Sequence, residues 1–302
     1  MKIEPPKAEK IPFKHEIHGD VRIDNYYWLN ERDNEKVIDY LNNENLYTKK
    51  ILKPTQKLQD ELFQEMKSRI KEDDTSVPYY YNEYWYMRKY EKGKDYPIYL
   101  RKHKSLDADE ELLVDVNKLA EGYSYFQLRG ISISPDNKKM AYAVDTLSRR
   151  IYTIKIKNLE TGEMYNEQIR NTTGGSTWAN DNKTLFYSSR EDITLRVNKI
   201  HKHQLGSEVS EDELVYEEKD KEFSTGIYKT KSNKFLVIGS GSTLTSEVRY
   251  IDADNPSEEP KLFLKRVEGH EYSIDHYKND FYIKTNITVS YTHLTLPTTL
   301  LV

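Results

Sequence analysis

The chain contains no cysteine in its 302 residues. That excludes disulfides, thiolate metal sites and a cysteine nucleophile, and it fits a reducing compartment, so a cytoplasmic location is expected. There is no apolar run near the roughly 20 residues that span a bilayer. The opening residues, Met1-Lys2-Ile3-Glu4-Pro5-Pro6-Lys7, carry charge but not the apolar stretch of a secretory leader. An excess of one charge is lacking too: 46 Lys and Arg stand against 50 Asp and Glu, a net charge of -4. Such a balance argues for no nucleic acid and no membrane among the partners. Hydrophobic residues are only 36%, yet 25 tyrosines supply aromatic surface for a core, which argues against disorder.

What is present falls into two textures. Residues 1–32 read as irregular, broken by Pro5, Pro6, Pro12 and Gly19. A helix is predicted from Glu35 to Leu52, capped by Asp33 or Asn34, with Val37, Tyr40, Leu41, Tyr47 and Ile51 on one face. Pro54 ends it. A second helix is predicted from Gln56 to Ile70, with Thr55 as its cap and Leu58, Leu62, Met66 and Ile70 as a single stripe. From Tyr79 onward the sequence consists of short β-branched and aromatic runs between turn residues, with no helix expected.

A weak repeat organises this second part. Ser134-Pro135-Asp136-Asn137-Lys138-Lys139-Met140-Ala141-Tyr142 resembles Ala179-Asn180-Asp181-Asn182-Lys183-Thr184-Leu185-Phe186-Tyr187. Looser copies surround Asn233 and Asn279. Each is a polar turn followed by an apolar strand, at the spacing of a four-stranded propeller blade. One blade cannot cover both faces of its own sheet, so blades must stack. The expected fold is therefore all-β: an incomplete β-propeller of about four to five blades behind an N-terminal α-helical extension. A β-sandwich is the competing reading.

Several segments carry a family resemblance. They include His18-Gly19-Asp20-Val21-Arg22-Ile23-Asp24-Asn25-Tyr26-Tyr27-Trp28-Leu29 and Glu65-Met66-Lys67-Ser68-Arg69-Ile70-Lys71-Glu72-Asp73-Asp74-Thr75-Ser76-Val77-Pro78-Tyr79. Gly93-Lys94-Asp95-Tyr96-Pro97-Ile98-Tyr99, Trp178-Ala179-Asn180-Asp181-Asn182 and Leu214-Val215-Tyr216-Glu217-Glu218-Lys219-Asp220 follow in order. Together they resemble the prolyl oligopeptidase superfamily of serine peptidases, and within it the oligopeptidase B (protease II) group, from about Ile11 to Asn286. The resemblance implies a propeller of seven blades covering a C-terminal α/β-hydrolase domain, on which residues 1–72 pack. It implies cleavage of short peptides after Arg or Lys, with the propeller (73–286 here) excluding folded proteins.

The chemistry of such a peptidase needs a G-x-S-x-G elbow followed by Asp and His. Gly174-Gly175-Ser176-Thr177-Trp178 lacks the last glycine, and Gly239-Ser240-Gly241-Ser242 sets serine directly after glycine; both read as turns. No catalytic, cofactor-binding or metal-binding residue is therefore assigned, no cofactor is expected, and the chain alone is expected to be inactive. His15 with His18, and His201 with His203, are pairs without a third ligand and read as ordinary hydrogen-bonded histidines. Asp252-Ala253-Asp254-Asn255-Pro256 reads as a turn, and Glu208 to Asp220 as a solvated loop entering a strand. Arg149-Arg150 reads as an ion-pairing element between blades or domains. The rival to the peptidase-fragment reading is a stand-alone propeller acting as a protein-binding module.

The final residues have a different origin in this reading. Val289-Ser290-Tyr291-Thr292-His293-Leu294-Thr295-Leu296-Pro297-Thr298 matches a translation of the transposon-end sequencing adapter GTC TCT TAT ACA CAT CTG ACG CTG CCG ACG. Residues 287–302 are thus expected to be a non-native tail, against the alternative of an edge strand rich in Thr and Leu. Native genomic DNA encoding the same tail contradicts the expectation.

Overall fold

The computed structural model describes residues 3–191 and 193–287, so the predicted tail lies, from residue 288 on, outside the described residues. The chain forms two compact units, one ending at Glu72 and the other beginning at Asp73.

In the first unit, the segment before the first helix holds a hairpin that its prolines did not suggest. β1 (Phe13–Ile17) and β2 (Asp20–Asp24) pair antiparallel, with Phe13 opposite Asp24 and Ile17 opposite Asp20. The connecting residues His18 and Gly19 both have positive φ, 53° and 81°, the backbone that matches hairpin twist and that glycine adopts without steric cost. A 3-10 turn follows at Tyr27–Asn30, and the Tyr27 ring stacks on Phe13 at 4.2 Å. α1 (Glu35–Leu52) is capped by Asn34, whose side chain accepts from the Lys36 N–H at 2.9 Å. α2 (Gln56–Ser68) stops two residues short of Ile70. Thr55 does not cap it: Lys53–Thr55 forms a 3-10 turn at Pro54, and the Thr55 hydroxyl donates to the Leu52 carbonyl at 2.8 Å. Val37 is the buried residue of α1, and none of α2 is buried.

The second unit is an antiparallel meander. Its first sheet holds β3 (Asp74–Thr75), β4 (Tyr79–Tyr81), β5 (Tyr84–Tyr90), β6 (Ile98–His103) and β7 (Glu111–Asp115). A short helix, α3 (Val116–Ala120), corrects the expectation that no helix occurs here. Asp115 caps it by accepting from the Asn117 N–H at 3.0 Å. Then come β8 (Gln127–Ile133), β9 (Lys139–Asp145), β10 (Tyr152–Asn158), β11 (Met164–Trp178), β12 (Thr184–Arg190), β13 (Val197–Gln204) and β14 (Glu213–Glu217), paired in chain order as seven strands. β15 (Ser224–Lys229), β16 (Phe235–Gly241), β17 (Ser246–Asp252) and β18 (Lys261–Leu264) make a sheet of four, and β19 (Tyr272–Tyr277) pairs with β20 (Asp280–Thr285).

The long strand β11 belongs to two meanders. Its first half, from Met164 to Thr172, pairs with β10, and its second half, from Thr172 to Trp178, pairs with β12. The switch needs glycine. At Gly130 on β8, with φ +66°, an added Cβ would lie 1.7 Å from the Gly174 carbonyl oxygen.

Alternate residues of the second strand in each meander serve different cores, because successive side chains point to opposite faces. On β9, Met140, Tyr142 and Val144 pack with Tyr86, Leu113 and Val116, whereas Ala141 and Ala143 pack with Tyr152, Ile154 and Trp178. On β12, Leu185 and Tyr187 join the latter cluster while Phe186 faces Leu236, Ile238 and Ile251. On β16, Leu236 and Ile238 share that cluster, and Val237 meets Val248, Tyr272 and Ile274. Sheets thus stack face on face, each fully buried large side chain contributing about 1.5–3 kcal/mol.

The repeated turns are left-handed at one residue: Asn137, Asn182 and Asn233 have φ near 60°. Asparagine tolerates this backbone well. The fourth left-handed residue is Lys278 rather than Asn279, and an earlier turn at Asn82, φ 45°, precedes the repeats read from sequence. Hydrogen bonds link the four turns at Asn82, Asn137, Asn182 and Asn233 to one another. Asn82 Nδ2 donates to Asn137 Oδ1 at 3.0 Å, the Asp136 N–H to Asn182 Oδ1 at 2.8 Å, and Asn180 Nδ2 to the Asn233 carbonyl at 3.0 Å.

Candidate functional site

The two serine candidates lie within strands rather than at turns. Ser176 belongs to β11, just past the irregularity between Thr172 and Ser176, and its hydroxyl is buried without a partner. Ser240 sits inside β16, and its hydroxyl donates toward Tyr216 OH and Thr225 Oγ1, each at 3.3 Å. Neither touches a histidine, and neither stands on a strand-to-helix elbow.

Hydroxyl–histidine contacts occur elsewhere, and sequence reading missed them because the fold brings residues 12 to 44 positions apart together. Ser189 Oγ lies 3.0 Å from His201 Nε2, Ser232 Oγ 2.9 Å from His276 Nδ1, and Thr285 Oγ1 2.8 Å from His270 Nε2. Nucleophile activation also needs a group that orients the histidine. Among the described residues the histidine hydrogen-bonded to a carboxylate is a different one: His203 Nδ1 lies 2.6 Å from Asp212 Oδ1. Its Nε2 is buried and has no partner.

That pair corrects the reading of 208–220 as a solvated loop. The Asp212 side chain is 4% exposed and also accepts from the Tyr187 hydroxyl at 2.8 Å. Burial and then this bond raise the Tyr187 pKa, so the phenol keeps its proton. His201 stacks on Tyr187 at 5.2 Å, and burial lowers its pKa against the opposing pull of Asp212. Glu218 is likewise buried. Burial works to raise its pKa, but Arg266 Nη2 at 2.6 Å, the Asp220 N–H and the Tyr216 hydroxyl outweigh burial and hold the carboxyl low. These are interlocking contacts between β-strands and their connections, and none presents a nucleophile to an open cavity.

The remaining sequence features are structural too. His15 packs edge-on against both the Phe13 and Tyr27 rings, and His18 occupies the hairpin turn. Among the described residues no group of three or more His, Asp or Glu is arranged to hold a metal ion. Asp252 turns the chain by accepting from the Asp254 N–H at 2.9 Å. Arg149 and Arg150 form no ion pair among the described residues. What holds this loop is the Arg150 backbone N–H on Asp145 Oδ2, at 2.7 Å.

One cavity does gather side chains from several strands. Its volume is about 280 Å³, and residues of β4, β5, β8, β11 and β15 line it together with the turns at Asn82, Pro135 and Asn233. It therefore lies where the leading strands converge, at the end marked by the left-handed turns. Lys229 contributes its one lysine.

Face-stacked meanders with this repeat define the class, and comparison with known proteins supplies the family. The family described as "Prolyl oligopeptidase, N-terminal beta-propeller domain" matches residues 5–296. The chain belongs to this family. It is 37% identical over 288 residues to Protease 2 of Moraxella lacunata, covering 93% of this chain and 42% of that protein. Dipeptidyl aminopeptidase BI of Pseudoxanthomonas mexicana is 38% identical over 300 residues, covering 93% and 41%. Among solved structures, oligopeptidase B from Leishmania major superposes with a TM-score of 0.88 at 30% identity, covering 95% of this chain and 43% of that one. Oligopeptidase B from Trypanosoma brucei with covalently bound antipain gives 0.85 at 26% identity, covering 94% and 43%. The chain thus spans less than half the length of these relatives, and the part it matches is their N-terminal propeller portion. Among the described residues, no helix is long and apolar enough to cross a membrane.

Proposed function

We propose that this chain is the N-terminal extension and part of the propeller of a cytoplasmic serine oligopeptidase of the oligopeptidase B type, which cleaves short peptides after Arg or Lys. The observation that carries the proposal is the continuous family match over residues 5–296 combined with coverage of only about 42% of the relatives. Nucleophile, base and acid are supplied by an α/β-hydrolase domain outside these 302 residues, and the chain by itself is inactive. We read four blades and part of a fifth, of an expected seven, a reading supported by the left-handed turns at Asn82, Asn137, Asn182, Asn233 and Lys278. Residues 1–72 pack on the hydrolase domain. The exposed side chains of Leu58, Leu62, Met66 and Ile70 support that role. The adapter match of residues 289–298 supports a non-native tail over 287–302, although the family match runs on to residue 296.

The propeller's part is selection by size: a stacked-sheet wall admits a short peptide and stops a folded protein. The test is hydrolysis of a fluorogenic Arg-containing peptide. The chain alone gives none, and the chain made continuous with a family hydrolase domain gives turnover that a serine-directed inhibitor stops. Inhibitor-sensitive turnover by the chain alone overturns the proposal.

A further inference from the structure

We propose that the 280 Å³ cavity at the turn end of the second unit binds a carboxylate, specifically the free C-terminus of a short peptide, through the Lys229 ammonium. The identity of the ligand as a peptide rests on the function proposed above, whereas the carboxylate chemistry rests on the cavity itself. Part of its wall is aromatic, Tyr79, Tyr81, Tyr86 and Trp178, and Ile131 and Ile133 add aliphatic surface. Tyr79 stacks on Tyr86 with ring centroids 5.3 Å apart. Tyr86 is buried, and the Arg101 guanidinium lies beside its hydroxyl.

Lys229 is set into this wall with one contact. Its Nζ donates to Asn180 Oδ1 at 2.6 Å. The Asn180 amide is oriented for that role, because its Nδ2 donates to the Asn233 carbonyl at 3.0 Å and to Asp254 Oδ1 at 2.7 Å. An ammonium has three donors, so this leaves two to offer. Among the described residues no carboxylate lies within ion-pair distance of Lys229. Asp181 and Asp254 act on it electrostatically, yet each is engaged elsewhere, Asp181 by Thr184 and the Lys183 N–H and Asp254 by Asn180. Those two carboxylates offset part of the cost of burying the cation without touching it, and an anion in direct contact relieves more of it. The cavity sits at the lower end of the size range for small-ligand sites, which suits the last one or two residues of a peptide rather than a long segment. Aromatic walls then receive an apolar side chain beside the carboxylate.

The test is a calorimetric titration of the full chain with N-acetyl-alanyl-phenylalanine and with its C-terminal amide. The acid is expected to bind at least about tenfold more tightly than the amide. Lys229→Met is expected to abolish that preference and Lys229→Arg to keep part of it, with the circular dichroism of all three chains unchanged. Equal binding of acid and amide, no binding of either, or a preference that survives Lys229→Met overturns the proposal. None of these outcomes touches the peptidase reading, which hydrolysis decides.

Discussion

Helix α2 and strand β12 are both patterned with apolar residues, and they meet opposite environments. Leu58, Leu62 and Met66 of α2 are exposed, whereas Leu185, Phe186 and Tyr187 of β12 are buried. The strand directs alternate side chains into two cores, and the sheets on both sides come from neighbouring parts of the same unit. Among the described residues of its own unit, which hold one small hairpin and one other α-helix, the helix stripe finds no such cover. The comparison teaches that an apolar period fixes which face is to be buried, while the source of the covering surface is a property of the whole assembly.

Substitutions can break or sharpen this contrast. Phe186→Ala should cost about 3–5 kcal/mol, because the ring is fully buried between two sheets. Urea unfolding of the second unit measures it. A loss below about 1 kcal/mol would mean that the stacked sheets are not the core. Gly130→Ala should cost about 3 kcal/mol, since its Cβ collides with the Gly174 backbone oxygen and the residue sits at positive φ. Serine at the same position should cost as much, which separates backbone collision from polarity.

Lys229→Met has a smaller effect, and its sign depends on pH. Burial lowers the Lys229 pKa from the ordinary 10.5 to about 8. Below about pH 8 the lysine is protonated in both states, and the folded state carries the whole desolvation penalty. Between about 8 and 10.5 the unfolded chain holds a proton that the folded chain has lost, so stability rises with pH across that window. Lys229→Met should therefore raise the melting temperature at pH 7, and its advantage should shrink as pH rises from 8 to 10.5. Tyr79, Tyr81 and Tyr86 line the same cavity. Burial raises the Tyr79 pKa and takes that of Tyr86 to about 12, so these two phenols stay neutral through most of the window. Smallest of all, Leu62→Gln on α2 should change stability by no more than about 0.5 kcal/mol. A cost comparable to that of Phe186→Ala would show that the stripe is already covered.

Much of this fold was legible in the sequence. The runs 139–145, 184–190 and 235–241 announce strands buried on both faces, and Asn137, Asn182 and Asn233 announce the turns before them. The hairpin at 13–24 was not legible, because its support comes from Phe13 meeting Tyr27 across the turn. α3 has only five residues, too few for a helical period to show. Asp212 and Glu218 looked solvated because their partners, His203 and Arg266, are distant in sequence or on another strand. Lys229 closes an otherwise ordinary strand, and only the convergence of several strands gives it a cavity. The absence of a G-x-S-x-G elbow, by contrast, is readable from the sequence itself, because that motif is local.

The proposal of an inactive chain places the catalytic chemistry of the family outside these 302 residues. The most direct measurement is labelling of the pure, folded chain with a fluorophosphonate probe, followed by peptide mapping. The account predicts no labelled serine, with Ser176 and Ser240 both unmodified. Stoichiometric labelling of either serine would contradict it.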